Sequence, residues 1–420
     1  MEVNLSRRSG VEIRVAAPPS KSLTHRALVA AALADGVSEI LRPLASEDTT
    51  LTSQGLRALG VTVEAKGDGL LVRGCGGRFP TRSPVTLDLK NSGTSLRLLA
   101  GVATLSAFPV TLTGSARMLE RPVGPLGDAI AALGGEVGYT VRSGYPPITV
   151  RGPARGGAAV IRGDISSQFV SSLLMAAPCW EEGLDLTLIP PLVSAPYLDL
   201  TAAVMRSFGV SIRRDGEHFS VPPGVYGQRT YAVEGDWSSA SYFFAIGAVC
   251  GGRVVVENLD PASLQGDRRF VEALEMMGAS AGYGEDGIVL ESNGDLDGIE
   301  VDMAAAPDTV QTLAAVAAFA RGPTRITGIA HLRYKESDRI AAIERVLGSV
   351  GARVAVEEDA VTITPGPLHG ATVDPENDHR TAMSAAVIGL GAGGVRVTGA
   401  GCVDKSFPQF WNVLQEAGLL

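Results

Sequence analysis

Cysteine is scarce. The 420 residues hold four, Cys75, Cys179, Cys250 and Cys402, all far apart and none in a CxxC pair. That excludes a disulfide scaffold and a zinc ribbon, and the thiols read as buried side chains. No block of lysine or arginine occurs and the formal net charge is −9, so the basic stripe that a nucleic-acid groove needs is missing. No apolar run approaches the length of a membrane span, and the opening MEVNLSRRSG has no secretory apolar core. The expected location is therefore the cytoplasm. The chain has no GxGxxG after a strand and no GK[ST] phosphate loop; GLGAGG at 389–394 follows a helix pattern instead. Dinucleotide and P-loop readings fall away. His25, His331 and His379 sit in unrelated local contexts, and no His/Cys/carboxylate spacing suits a metal.

What is present is repetition. A helix-like run followed by glycine and a β-rich stretch recurs as QGLRALGVTVEAK, LGDAIAALGGEVGYTV, TAAVMRSFGVSIRR, FVEALEMMGASAGYG and AIERVLGSVGARVAVE. Apolar positions recur there at three- and four-residue steps, and glycine supplies the left-handed stop. The closing FWNVLQEAGLL reads as the same helix without its last strand. Upstream of each lies a second helix type, rich in Ala, Gly and Ser and nearly free of charge beyond its first turn. Examples are SLTHRALVAAALADG, SSASYFFAIGAVCGG and RTAMSAAVIGLGAGG. These predict buried helices in close contact with their neighbours.

The pattern predicts an α/β chain of six repeats averaging 70 residues, since 420 divided by six is 70. Six such units suit two closed lobes of three better than one open array. The first segment, VNLSRRSGVEIRVAAPPS, has strand character and nothing before it to pair with. It is expected to complete the C-terminal lobe. The lobes are then 1–17 with 229–420, and 18–228, with the active site expected in the cleft between them.

The buried-type helices open on polar groups. These are Lys21, Ser22 and Arg26; Asn91, Gly93, Thr94 and Arg97; Ser166, Ser167 and Gln168; Asp236 and Ser238; Asp302 and Asp308; and, in NDHRTAM, His379 and Arg380. Ser, Asn and Asp are ordinary caps. A cation near a helix N-terminus is different, because it opposes the helix dipole by about 0.3–1 kcal/mol. An anion held between the cation and the unpaired N–H groups reverses that penalty. Repeated through the chain, the arrangement points to an enzyme that closes on a small polyanionic substrate. The residues alone leave group transfer, isomerisation and a non-catalytic anion-binding protein open.

At PPSKSLTHRAL, KNSGTSLRLLAG, ARMLERPV, SSQF, PLVSAPYLDLT, HLRYKESDRI and NDHRTAM, in this order along the chain, the sequence resembles the 5-enolpyruvylshikimate-3-phosphate synthase family. The resemblance implies the two-lobed enolpyruvyl transferase fold, with six β-α-β-α-β-β repeats, three per lobe. It implies transfer of the enolpyruvyl group of phosphoenolpyruvate to the 5-hydroxyl of shikimate 3-phosphate, without metal or organic cofactor and by a monomer. The implied acid/base groups are Lys21, Asp308 and Glu336. The implied shikimate 3-phosphate subsite is Lys21, Ser22, Arg26, Ser166, Ser167, Gln168, Ser194, Tyr197, Asp308, His331 and Lys335. The implied phosphoenolpyruvate subsite is Lys21, Asn91, Gly93, Thr94, Arg117, Gln168, Arg339, Arg380 and Lys405. Two positions depart from the family pattern: Ala195, where many members have lysine, and His331, where some have asparagine. The related UDP-N-acetylglucosamine enolpyruvyl transferases usually carry a cysteine acid in a lid loop, and TGSARMLERPV has none. Closure of the lobes on both substrates is the expected dynamic step, since it excludes water from the activated double bond.

Overall fold

The structure is a computed structural model of the chain and describes residues 1–284 and 287–420. The chain forms two compact units, Met1–Pro18 with Glu234–Leu420, and Pro19–Val233. Among the described residues there are six small sheets, five of four strands and one of three.

Each repeat of the second unit follows one plan. In the middle repeat, strand Val85–Asp88 leads into the buried helix Gly93–Ala103 and then to strand Val110–Thr113, its parallel neighbour. The outer helix Gly124–Ala132 follows, and strands Glu136–Tyr139 and Ile148–Arg151 finish the sheet in antiparallel fashion. The third repeat repeats this order with helices Ser167–Ala176 and Pro196–Ser207. The first repeat, with helices Lys21–Leu33 and Glu47–Ala58, has no leading strand of its own before it, because the preceding strand, Val11–Ala16, pairs in the other unit. Thr230–Ala232, from the far end of the unit, supplies that strand by pairing in parallel with Glu39–Leu41. For this reason the chain leaves the unit after Val233 and not after 228.

The other unit closes the same way, with its borrowed strands taken from the N-terminus. Val11–Ala16 lies parallel to Gly252–Glu257 as the leading strand of the repeat that holds helix Trp237–Cys250. Val3–Leu5 pairs antiparallel with Val395–Val397, in the place of the strand missing after helix Phe410–Glu416. Leu5 also packs on the buried helix His379–Ala392, where a Cβ on Gly389 would stand 2.6 Å from the Leu5 Cβ. Phe410 meets Tyr242 and Phe407 edge-on at 5.6 Å each. Such pairs are worth about 0.5–1.5 kcal/mol beyond burial, and here they pin the segment that ends at Lys405.

The small-residue composition of the inner helices is explained by their contacts. A Cβ on Gly101 would overlap the Ser172 backbone of the neighbouring inner helix. The Ser172 hydroxyl accepts from Gly101 N at 2.9 Å and donates to the Arg97 carbonyl. Helices that touch this closely hold fixed registers, so the polar groups at their starts are held in fixed places. Among the described residues, no helix is long and apolar enough to cross a membrane.

Candidate functional site

In the Pro19–Val233 unit, Lys21 is the first residue of its helix and Ser20 provides no side-chain cap. Lys21 Nζ lies 3.3 Å from Asp48 Oδ2, and the lysine is 9 % and the aspartate 1 % exposed. Asp48 belongs to the first turn of the next helix. The Asp48 carbonyl accepts from Ser95, which continues a buried hydroxyl chain through Thr52 to His25 Nδ1. The dipole penalty on Lys21 is thus met by a carboxylate that sequence reading did not single out; SEDTT shows only a capping pattern.

Arg26 is a strut. Its Nε donates to Thr201 Oγ1 at 2.8 Å, Nη1 to the Ser22 carbonyl at 3.0 Å, and Nη2 to Ser171 Oγ and the Tyr197 carbonyl at 3.3 and 3.2 Å. Burial pulls its guanidinium down to about 10, which leaves it protonated at neutral pH. Arg26 therefore fixes Ser22 and Tyr197 relative to each other. Ser166 caps its helix by accepting from Gln168 N, Ser167 is buried, and Ser194 is buried with φ +57°. Ala195 is the residue at the N-cap of the Tyr197 helix.

The Asn91–Arg97 turn forms the second cluster of this unit. Gln168 bridges it, accepting from Arg97 Nη1 and donating to Thr94 Oγ1, both at 2.9 Å. Arg121 Nη1 donates to the Asn91 carbonyl at 3.0 Å and to Asn91 Oδ1 at 3.2 Å. A Cβ on Gly93 would overlap the guanidinium groups of both Arg121 and Arg97. Of the two arginines in ARMLERPV, Arg121 is the buried one at the Gly93 turn, 2 % exposed. Arg117 pairs with Glu120 at 3.1 Å, with 30 % of its side chain exposed. The family resemblance named Arg117 alone. The difference arises because the short helix Ala116–Leu119 ends between them.

In the other unit the polar groups form an arginine–carboxylate lattice. Arg339 is 1 % exposed. It donates from Nε to Asp378 Oδ2 at 3.0 Å, from Nη1 to Asp308 Oδ1 at 3.1 Å and from Nη2 to Glu336 Oε2 at 2.9 Å. Burial pulls its guanidinium down, but Asp378, Glu336 and Asp308 together hold it above the ordinary arginine value. Arg380 Nη2 donates to Asp308 Oδ2 at 2.7 Å and to Ser238 Oγ at 3.0 Å, and Nη1 to Tyr242 OH at 3.2 Å. Asp308 thus receives one arginine on each oxygen. Asp378 and Asp236 cap the two flanking inner helices by accepting from Arg380 N and Ser239 N. This is the role of the carboxylates clustered before His379: one caps the helix and clamps Arg339. Lys405 is buried and Lys335 half-buried.

His331 lies in the short turn before Lys335, 3 % exposed, and its Nε2 has no hydrogen-bond partner among the described residues. Burial, then the Lys335 charge, pulls its imidazole down to about 3. The unfolded chain binds this proton below about pH 6.5, whereas the folded chain does so only near 3. Stability is fully present above pH 6.5 and falls as pH drops toward 3, by about 2 kcal/mol at pH 5. His331→Asn is expected to remove that slope, read as the change in unfolding free energy between pH 7 and pH 5.

The repeats and these clusters define the class: an α/β protein of six repeats whose polar groups gather at the starts of its buried helices. The family model described as EPSP synthase (3-phosphoshikimate 1-carboxyvinyltransferase) matches residues 5–414. A 3-phosphoshikimate 1-carboxyvinyltransferase of Methanoculleus marisnigri is 57% identical over 422 residues, covering 100% of both chains. One of Methanoregula boonei is 54% identical over 418 residues, covering 99% of each. A solved structure of EPSP synthase from Acinetobacter baumannii superposes with a TM-score of 0.81 at 28% identity, covering 100% of this chain and 98% of that one. The chain belongs to the EPSP synthase family.

Proposed function

We propose that this chain transfers the enolpyruvyl group of phosphoenolpyruvate to the 5-hydroxyl of shikimate 3-phosphate, releasing phosphate, with the two clusters acting on the same substrate pair. The observation that carries the division of labour is the Asp308 carboxylate, held by Arg339 and Arg380 together. A guanidinium committed to a carboxylate is ready to receive another planar anion through paired donors. The carboxylate of phosphoenolpyruvate takes over donors from Arg339 and Arg380, and Asp308 is released to accept the 5-hydroxyl proton.

In the addition step the 5-hydroxyl oxygen bonds to C2 of phosphoenolpyruvate, its proton passes to Asp308, and C3 takes a proton from Lys21 or Glu336. In the elimination step C3 returns a proton to the group that supplied one, Lys21 or Glu336, the C2–O bond to phosphate breaks with its electron pair leaving on phosphate, and the double bond returns. Lys21, beside Asp48, also faces the charge of the leaving phosphate. Arg121 and Arg97, at the Gly93 turn, bind phosphoenolpyruvate; Arg121 takes the role that the family resemblance suggested for Arg117. Ser22, Ser166, Ser167, Gln168, Ser194 and Tyr197 hold shikimate 3-phosphate, with Arg26 fixing two of them. His331, Lys335 and Lys405 complete the polar lining.

Phosphate release from phosphoenolpyruvate tests the reading, with shikimate 3-phosphate and UDP-N-acetylglucosamine offered separately. Release with the former alone is expected; release with the nucleotide sugar alone overturns the acceptor assignment. Within the donor site, Arg121→Leu is expected to raise KM for phosphoenolpyruvate at least about tenfold, and Arg117→Leu to change it several times less. Gly93→Ala, which forces both guanidinium groups aside, is expected to act like Arg121→Leu. Equal effects at positions 117 and 121 would return Arg117 to the site.

A further inference from the structure

A second polar pair lies beyond Asp308 and Arg380, deeper in the same unit. Gln311 follows Asp308 by three residues and Ser384 follows Arg380 by four. Helices Val310–Ala317, Arg339–Ser349 and His379–Ala392 line a partly open cavity of about 20 Å³ there. Its wall is mostly apolar, with Ala314, Ala342, Ile343, Leu347 and Ile388, but Gln311, Thr381 and Ser384 also face it. Gln311 Nε2 donates to Thr381 Oγ1 at 2.8 Å. The Oε1 of the same amide and Ser384 Oγ are buried and have no hydrogen-bond partner among the described residues. Gln311 and Ser384 are each 5 % exposed.

Two buried polar atoms facing one small space are best served by a common partner, because a buried polar group without one is costly. A water needs at least about 10–15 Å³ of such space and two or more polar contacts. We infer that the cavity between Gln311 and Ser384 holds one structural water, and that Gln311 with this water is a positioning element for Asp308 and Arg380. The water serves either orientation of the Gln311 amide, since it donates and accepts equally well.

The positioning role follows from what the pair connects. Gln311 reaches from the helix that follows Asp308 to Thr381, the neighbour of Arg380. The water extends that link to Ser384, one turn further on. The rest of the cavity wall is alanine and other aliphatic groups, which attract without direction. Directional hydrogen bonds fix the register that brings Arg380 Nη2 to 2.7 Å from Asp308. This part rests on the role proposed above for Asp308.

A crystal structure that resolves ordered solvent tests the water. A single peak is expected at about 2.7–3.2 Å from both Ser384 Oγ and one amide atom of Gln311. A dry cavity, with the Ser384 hydroxyl turned onto the Arg380 carbonyl, overturns it. Kinetics test the positioning. Ser384→Ala loses only the water contact, and Gln311→Met loses that contact and the Thr381 bond. The expected falls in kcat are about threefold and about tenfold or more, with KM for both substrates within about twofold, as for a displaced reacting group. Unchanged kcat in folded variants of lower Tm overturns the positioning role. A wild-type protein that holds the water but turns over no shikimate 3-phosphate rejects the reading of Asp308 instead.

Discussion

Asp308→Asn is expected to lower kcat by about 10²–10⁴-fold, the range for loss of a general base, while the protein stays folded. Asparagine keeps the shape of the side chain and one acceptor oxygen, so either Arg339 or Arg380 keeps its hydrogen bond. It cannot take the 5-hydroxyl proton. The arginine that loses this bond keeps other partners, Asp378 and Glu336 for Arg339 or Ser238 and Tyr242 for Arg380. The arginines also gain donors for phosphoenolpyruvate, so its KM is expected to stay level or fall. Steady-state kinetics with each substrate varied in turn separate these effects. A variant within tenfold of the native kcat would remove Asp308 from the proton path and move the role to Lys21 or Glu336.

Arg339→Met is the largest expected effect on stability. Its guanidinium is the shared partner of Asp378, Asp308 and Glu336, and Asp378 is fully buried. Breaking a buried ion pair by removing one partner costs about 3–5 kcal/mol, because the remaining charge is left uncompensated. Thermal unfolding of Arg339→Met and of the double variant with Asp378→Asn checks this: removing the stranded charge is expected to recover part of the loss, and no recovery would assign it to packing of the side chain rather than to charge. Arg339→Lys is not expected to rescue: one ammonium cannot serve three carboxylates in a plane.

Much of this architecture was legible because its signals are local and repeated. Glycine after each outer helix and the charge-free inner helices both follow from short-range rules, and they recur six times. The displaced strand Val3–Leu5 was legible as an element with no partner beside a helix with no strand. Thr230–Ala232 was not, since three residues between prolines and glycines resemble a linker until Glu39–Leu41 is seen next to them. At the site, the arginines stood out as cations where the helix dipole disfavours them. Their partners did not. Asp48 and Asp378 look like ordinary caps in sequence, and only packing turns them toward Lys21 and Arg339. Arg117 and Arg121 differ by a helix end that no spacing rule resolves.

The borrowed strands set an order of events during synthesis. Domains fold as units while the chain emerges. All strands of the Pro19–Val233 unit are contiguous, so it can finish as soon as Thr230–Ala232 has been made. Val11–Ala16 must wait for Gly252–Glu257, and Val3–Leu5 for Val395–Val397. Val3–Leu5 and Val11–Ala16, made before the Pro19–Val233 unit, are thus among the last strands to find their places, and their edges stay unpaired in the meantime. The alternation of charged with apolar residues in VEIRVA keeps that waiting strand from pairing with the wrong chain.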